Sequence, residues 1–264
     1  MNRCCRPNPC LNGGVCQEIC DTHSNRFNCT CPDSCNGLRC EKIAYPMARS
    51  CKDIAENGIS TSGKYEIFDS VNESFSVHCD LQSEPRFMWT LIQSFSLGTR
   101  DFFMGKAFLI DFPTNQDSGK VDWNSYRLSK SRMEFLAKHS THFRVTCNFP
   151  QDGMQYTDYA RAKLTDHNLF SDWGSRPLCK KYEYINIRGI NCSNCTALTK
   201  QNQTVAWSVY SGLSKQRGCD FGDVQEAPRA EMNFGEYRRV NPKHRCTSSN
   251  ASTTQHWFGF KRDL

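Results

Sequence analysis

The chain has 264 residues and carries 33 lysine and arginine side chains against 27 aspartate and glutamate side chains, a formal net charge of +6. This modest excess is spread along the sequence, which argues against a dedicated nucleic-acid-binding protein. Seventeen cysteines are present, and so many are typical of an oxidising, extracellular compartment in which disulfides persist. The length suits one small module and one larger globular domain.

The sequence predicts no membrane span. The longest apolar run, residues 102–112, is interrupted by Lys106 and Asp111 and is too short to cross a bilayer. Residues 1–10 are polar and rich in cysteine, unlike the apolar stretch of a signal peptide. We therefore expect a secreted chain that is mature or truncated at its N-terminus.

Cysteine density divides the sequence into two parts. Nine cysteines lie in residues 1–40, and eight are scattered over residues 41–264. A segment as short as the first part buries too little apolar surface to offset its chain entropy, so disulfides must stabilise it. The second part contains all five tryptophans. We predict a module at residues 1–46 and a globular domain at residues 47–264.

The spacing of six cysteines in the first part is typical of a known module. They read Cys5-x4-Cys10-x5-Cys16-x12-Cys29-x-Cys31-x8-Cys40, with PCLNGGVC at residues 9–16. This pattern resembles the EGF-like family. The resemblance implies three disulfides that spacing alone leaves open. They are Cys5–Cys16, Cys10–Cys29 and Cys31–Cys40.

Three cysteines fall outside that pattern. Cys20 and Cys35 form a candidate extra pair, and Cys4 is left for a cysteine lost upstream or for an intermolecular disulfide. Calcium-binding members of the family carry acidic or amide oxygens before the first cysteine, where this chain has Arg3. We expect no cofactor and no metal site, with calcium as the alternative.

The second part opens with a short helix followed by strands. Ser50 is placed to cap a helix through Asp53. The best later helix candidate is Ser129–His139, because Ser129 suits its N-terminus. These elements predict a mixed α+β domain. Alternating or apolar segments predict strands at residues 65–68, 75–80 and 88–93.

Four segments of this part carry a family resemblance. CKDI, SGKYEI, FSVHCDL and MWTLIQSF, between residues 51 and 95, resemble the opening of fibrinogen-related domains. The resemblance implies a fibrinogen C-terminal-like fold and a Cys51–Cys79 disulfide, and it fades after about residue 100. HNLF at residues 167–170 and DFGD at residues 220–223 resemble the intelectin branch of lectins.

The order of the two parts carries a further resemblance. An EGF-like module ahead of a fibrinogen-like domain, with the opening CCRPNPCLNGGVCQ at residues 4–17, resembles uncharacterised coral skeletal organic matrix proteins. This implies an extracellular matrix protein retained in or beside a biomineral.

Six Asn-x-Ser/Thr sequons predict N-glycosylation of a secreted chain. Three of them have cysteine in the middle, which hinders modification. The sequons lie at Asn28, Asn72, Asn191, Asn194, Asn202 and Asn250.

Candidate chemistry in the second part has a structural interpretation in each case. Cys192–Cys195 is a CxxC that could be a redox pair or half of a zinc site, but no second CxxC follows, so a structural disulfide is favoured.

A small patch of side chains is oxygen-rich enough to bind calcium, although turn capping is favoured. It consists of Asp166, His167, Asn168 and Asp172. A basic cluster has the charge to meet sulfated glycans or an anionic matrix, although a solvated loop is favoured. Its members are Arg238, Arg239, Lys243, His244 and Arg245.

We therefore predict a non-enzymatic extracellular matrix or adhesion protein whose partners are matrix proteins or glycans. The alternative is a soluble calcium-dependent lectin that binds glycans through the larger domain. An enzyme has no support, because neither HExxH nor GxSxG occurs. It would need a cleft in which a histidine meets an acidic or nucleophilic side chain, and we expect none.

Peptide mapping of the non-reduced protein tests the EGF-like assignment. We expect Cys5 to be linked to Cys16, Cys10 to Cys29, and Cys31 to Cys40, because the family pattern implies that connectivity. A different order of pairing, or a fully reduced N-terminal segment, would contradict the assignment.

Overall fold

The computed structural model describes residues 4–21, 24–32, 35–43, 47–118, 120–212, 217–222, 224–228 and 230–262. The chain divides into two compact units, residues 1–48 with 56–58 and residues 49–55 with 59–264. Among the described residues, no helix is both long enough and apolar enough to span a bilayer.

In the part of the first unit that the structure describes, the strands form two hairpins. Strand β1 (Val15–Asp21) pairs antiparallel with β2 (Ser24–Thr30), and β3 (Cys35–Asn36) pairs with β4 (Lys42–Ile43). Large apolar side chains of this unit are exposed to solvent, and Leu38, for example, is 89% exposed. Crosslinks therefore take the place of a hydrophobic core in this unit. The disulfides of the first unit join Cys5 to Cys16, Cys10 to Cys29, and Cys31 to Cys40.

Cys35 is a buried free thiol. Its Sγ lies within 4.8 Å of the sulfurs of Cys31 and Cys40 and 3.9 Å from the carbonyl oxygen of Asn12. The expected extra bridge between Cys20 and Cys35 is therefore wrong for this structure, because Cys35 packs against the Cys31–Cys40 disulfide. The side chain of Cys20 lies outside the described residues.

The described residues of the second unit form one antiparallel sheet of eleven strands. The strands are β5 (Gly63–Phe68), β6 (Ser74–Asp80), β7 (Phe87–Ser96), β8 (Ser125–Arg127), β9 (His142–Cys147), β10 (Tyr159–Lys163), β11 (Leu178–Ile187), β12 (Ile190–Asn202), β13 (Val205–Tyr210), β14 (Met232–Asn233) and β15 (Thr253–Lys261). In space their order is β14-β13-β12-β11-β10-β9-β15-β7-β6-β5, with β8 paired to β7. Strand β15 thus lies between β9 and β7, so residues distant in sequence become neighbours.

Four short α-helices accompany the sheet among the described residues, so the domain contains both element types, as expected, and is rich in β-strand. The predicted helix after Ser129 is confirmed, since Ser129 Oγ accepts the N–H of Arg132 at 3.4 Å. A helix also follows Ser50, but the buried Oγ of Ser50 has no hydrogen-bond partner among the described residues. Instead the Asp53 carboxylate accepts the N–H of Arg49 at 2.6 Å. The helices are α1 (Cys51–Glu56), α2 (Arg100–Phe103), α3 (Lys130–Lys138) and α4 (Phe149–Asp152).

The core of the second unit lies along β7, whose ten residues are all buried. The predicted strands at residues 65–68, 75–80 and 88–93 are confirmed as parts of β5, β6 and β7. Four disulfides crosslink this unit. They join Cys51 to Cys79, Cys147 to Cys246, Cys179 to Cys219, and Cys192 to Cys195.

A buried charge cluster lies where β9 adjoins β15. Arg144 is fully buried, with Nη2 2.6 Å from an oxygen of Asp80 and Nη1 3.2 Å from an oxygen of Glu84. Its guanidinium lies 4.6 Å from the Trp89 ring centre and 4.7 Å from that of Trp257. Two carboxylates and two aromatic faces thus compensate for removing this cation from water.

Arg144→Met is expected to lower the free energy of unfolding by about 3–5 kcal/mol, because it leaves Asp80 and Glu84 buried without their shared cation. Arg100→Met is the control, since Arg100 is partly exposed and pairs with an exposed carboxylate, and we expect a change within about 0.5 kcal/mol. Denaturant unfolding of the oxidised protein measures both. Equal effects of the two substitutions would contradict the role of the cluster.

Buried histidines predict a stability that depends on pH. Burial lowers the pKa of His167 to about 4 and that of His256 to about 3, from an ordinary value of 6.5. Below pH 6.5 the unfolded chain therefore binds protons that the folded chain does not. Stability is highest above that pH and falls as the pH drops towards 4, by about 1.4 kcal/mol per pH unit for each histidine.

Thermal melts at pH values of about 7.5 and 5.5 test this expectation. The melting temperature should be lower at the acidic pH, and His167→Gln should show a smaller decrease between the two values. A melting temperature that rises on acidification would overturn it.

Candidate binding groove

Two open hollows adjoin on the second unit. Their volumes are about 630 Å³ and about 640 Å³, and both are lined by Glu183 and Lys261. They adjoin at these two side chains and are together called the groove below. The first hollow is also lined by Tyr156, Arg161, Tyr184, Ser193 and Asn194. The second is also lined by Arg86, Thr141, His142, Lys163, Thr165 and Phe260, among others.

Strand order explains why these residues meet. The strands β12, β11, β10, β9 and β15 are consecutive neighbours in the sheet. Neighbouring strands lie about 4.8 Å apart, so the groove extends across about 19 Å of sheet. These five strands contribute, in that order, Asn194, Glu183, Arg161, His142 and Lys261.

Arg161, Glu183 and His142 are called the floor of the groove. Ion pairs connect this floor to the buried charge cluster around Arg144. Glu183 accepts hydrogen bonds from Arg161 Nε at 3.0 Å and from His142 Nε2 at 3.2 Å. Arg161 also forms an ion pair with Glu84, which in turn pairs with Arg144 in the core. The ion pairs with the buried cluster therefore hold the Arg161 and Glu183 side chains in place.

Burial and hydrogen bonding set the charges on the floor. Burial lowers the pKa of His142 below its usual value, although the hydrogen bond with Glu183 opposes the shift. For Glu183, burial acts to raise the pKa, but the hydrogen bond from His142 and the charge of Arg161 outweigh it, so the net shift is downward. At neutral pH the floor therefore carries a neutral imidazole and an ionised carboxylate.

The expectation that no cleft brings a histidine together with an acidic or nucleophilic side chain is wrong, because a hydroxyl, an imidazole and a carboxylate meet in the groove. Thr141 Oγ1 lies 2.7 Å from His142 Nδ1, and Nε2 of the same ring faces Glu183. This is the order of groups in acyl-transfer sites. Here, however, Thr141 Oγ1 also accepts the backbone N–H of Lys261 at 3.2 Å, and Arg161 binds the other oxygen of Glu183. In this arrangement the three groups connect β9, β11 and β15.

The open part of the groove is cationic. Arg86, Lys163, Lys261 and Arg161 line it, and Glu183 is its one carboxylate among the described residues. For Arg86, Lys163 and Lys261, no carboxylate of the described residues lies within ion-pair distance. The Arg86 guanidinium instead donates to a backbone carbonyl, that of Arg262.

Tyrosines form the wall at one end. Tyr156 is 46% exposed, and its ring centre lies 5.3 Å from that of Tyr159 and 6.1 Å from that of Tyr184. The supporting rings hold Tyr156 beside the cations. An exposed aromatic ring at the edge of a polar hollow is a frequent contact for ligands with one apolar face.

The basic cluster suggested by the sequence does not form an exposed cationic patch. Lys243 Nζ lies 2.5 Å from Glu226, and Arg245 lies 2.5 Å from Asp152. His244 is fully buried. Arg238 also pairs with a carboxylate, that of Glu236. Acidic partners supplied by other loops neutralise a segment that looks basic in sequence.

The other candidate residues serve local structure. The side-chain oxygen of Asn168 accepts the N–H of Phe170 at 3.3 Å, and that of Asp172 accepts the N–H of Gly174 at 2.7 Å. His167 Nε2 contacts the carbonyl oxygen of Lys181 at 2.9 Å. The favoured roles in turns are thus visible in the hydrogen bonds. The Cys192–Cys195 disulfide lies within β12.

Most sequon asparagines are accessible. Asn202 is half-buried, and its amide is hydrogen-bonded to Gly174 and Thr204, whereas Asn194 lines the groove. The exposed sequon positions are Asn28, Asn72, Asn191, Asn194 and Asn250.

Comparison with known proteins supports the coarse assignment. The family model "Fibrinogen beta and gamma chains, C-terminal globular domain" matches residues 47–169, so a fibrinogen C-terminal domain is found, and the match continues well past residue 100. Protein crumbs homolog 1 of Mus musculus is 38% identical over 52 residues, which cover 20% of this chain and 3% of that protein. This short similarity gives weak support for EGF-like modules.

Proposed function

We propose that this protein is a secreted, non-enzymatic extracellular matrix or adhesion protein whose second unit binds matrix proteins or glycans through the groove. The fibrinogen C-terminal match and the seven disulfides among the described residues favour an extracellular setting. Fibrinogen-like domains are typically non-enzymatic. The observation that carries the proposal is the groove itself, two adjoining hollows lined by charged and aromatic side chains on five adjacent strands.

The first unit is proposed to be an EGF-like spacer. Its hairpins are crosslinked by three disulfides, and it leaves apolar side chains such as Val15 and Leu38 in contact with solvent. A short segment constrained in this way keeps its shape without a large core, which suits a structural element between binding parts.

A hydrolytic alternative is favoured by one observation, the contact of Thr141, His142 and Glu183. It predicts hydrolysis of activated esters that is lost in His142→Gln. Equal hydrolysis rates for His142→Gln and the unmodified protein would contradict this alternative and leave the three groups with a structural role.

A place in the organic matrix of a biomineral is a narrower form of the proposal. It depends on the resemblance carried by the order of the two parts and by the opening segment CCRPNPCLNGGVCQ. Recovery of the chain from washed and demineralised skeleton would support it, and its restriction to soft tissue would contradict it.

Retention on decellularised extracellular matrix tests the proposed function. Thr165 is exposed and lines the second hollow, so Thr165→Trp is expected to fill that hollow and reduce retention of the full chain at least about tenfold, as loss of a central contact does. Ser70→Trp adds the same ring at an exposed turn outside the groove and should bind like the unmodified protein.

A chelator arm separates the lectin alternative from this proposal. Binding through the groove should persist in EDTA, because its contacts are side chains, whereas a calcium-dependent lectin should lose binding. Absence of retention, or equal retention of both tryptophan variants, would contradict the groove as the contact site.

A further inference from the structure

We propose that the groove binds a sulfated polysaccharide chain, with Arg86, Lys163 and Lys261 contacting its sulfates and Tyr156 stacking against a sugar ring. This inference depends on the proposed function, because it names the ligand class of the same groove. It does not require calcium, and it does not involve the basic cluster at Arg238–Arg245.

The first argument is the uncompensated charge. The acidic partners of the Arg238–Arg245 segment neutralise it, yet the described residues offer no carboxylate to Arg86, Lys163 or Lys261. The one carboxylate in the groove, Glu183, is already bound by Arg161 and His142. An anion from outside the chain that contacts these cations together would compensate charges to which the described residues offer no carboxylate. Several weak ionic contacts to one polyanion act together.

The second argument is the distribution of the cations. Lys163 ends β10 and Lys261 ends β15, and β9 lies between those two strands. Arg86 immediately precedes β7, the strand on the far side of β15. All three line the second hollow, and the strand ends that carry Lys163 and Lys261 are separated by one intervening strand, about 10 Å of sheet. An anion that repeats along a chain can contact cations so separated at the same time.

The third argument is the aromatic wall. Tyr156 exposes nearly half of its surface in the hollow that contains Arg161 and Lys261. A sugar ring presents an apolar face of C–H groups and a polar rim, so it can lie on the tyrosine while its sulfates reach the cations. An acidic peptide lacks such a regular flat face. This favours a sulfated sugar chain over an acidic protein segment.

The fourth argument is preorganisation. The ion pairs of Arg161 with Glu84 and Glu183 join the floor to the buried cluster around Arg144. A ligand therefore meets a floor that is already ordered, and less conformational entropy is lost on binding. Lys163 is exposed and can adapt to different positions of the sulfates, whereas Lys261 is half-buried and Arg86 is hydrogen-bonded to the carbonyl of Arg262.

Heparin, as a sulfated probe, tests the inference on the full oxidised chain. The triple variant Arg86→Gln, Lys163→Gln, Lys261→Gln should bind at least about tenfold more weakly, and the slope of log affinity against log salt should decrease by about 2–3. The matched control removes the same charges at exposed sites outside the groove and should change affinity less than about twofold. It is Lys64→Gln, Lys120→Gln, Arg217→Gln.

Two further probes identify the chemistry. Desulfated heparin should bind at least about tenfold more weakly than heparin, because the repeated sulfates are lost. Tyr156→Ala should weaken binding of heparin several-fold and leave the weaker binding of polyglutamate unchanged, since only the sugar stacks on the ring. Preferential binding of polyglutamate, or equal loss in the groove variant and its matched control, would overturn the inference.

Failure of the inference is distinguishable from failure of the proposed function. If Thr165→Trp abolishes matrix retention but heparin does not compete and the triple variant still binds, the groove is the contact site and its ligand is not a sulfated polysaccharide. If Thr165→Trp is retained normally on the matrix while heparin binding depends on the three cations, the ligand class stands and the matrix role fails.

Discussion

The burial of Arg144 between two carboxylates and two tryptophan rings is the constraint on which the second unit depends. A cation with no access to water must be compensated by neighbouring groups. The groups that do so are Asp80 on β6, Glu84 in the loop after β6, Trp89 on β7 and Trp257 on β15. Glu84 extends this compensation to Arg161. A requirement of the core thereby sets the position of charged side chains in the groove.

The two units are stabilised by different physical means. The first has crosslinked hairpins with apolar side chains left outside, whereas the second buries an entire ten-residue strand and uses disulfides as additional ties. Cys147 and Cys246, for example, are 99 residues apart in sequence. That bridge limits the freedom of the unfolded chain and joins the end of β9 to the segment before β15.

The groove combines residues inside and outside the family match. Arg86, Thr141 and Lys163 lie within residues 47–169, whereas Glu183 and Lys261 lie beyond them. The position of β15 between β9 and β7 makes this combination possible. The family match therefore covers the segments that carry Arg86, Thr141 and Lys163. The later strands supply the other charged side chains of the groove, Glu183 and Lys261.

Several local features follow from the sequence alone: the strands in β5, β6 and β7, the helix capped by Ser129, and the need for crosslinks in a cysteine-rich segment. Each depends on neighbours in sequence, through side-chain periodicity or capping. Which charges are free, in contrast, depends on the tertiary fold. Lys243 and Arg245 look like a patch but meet Glu226 and Asp152, whereas cations as far apart as Arg86 and Lys261 meet in one groove. Ion pairing and strand order are long-range properties, and spacing along the chain does not contain them.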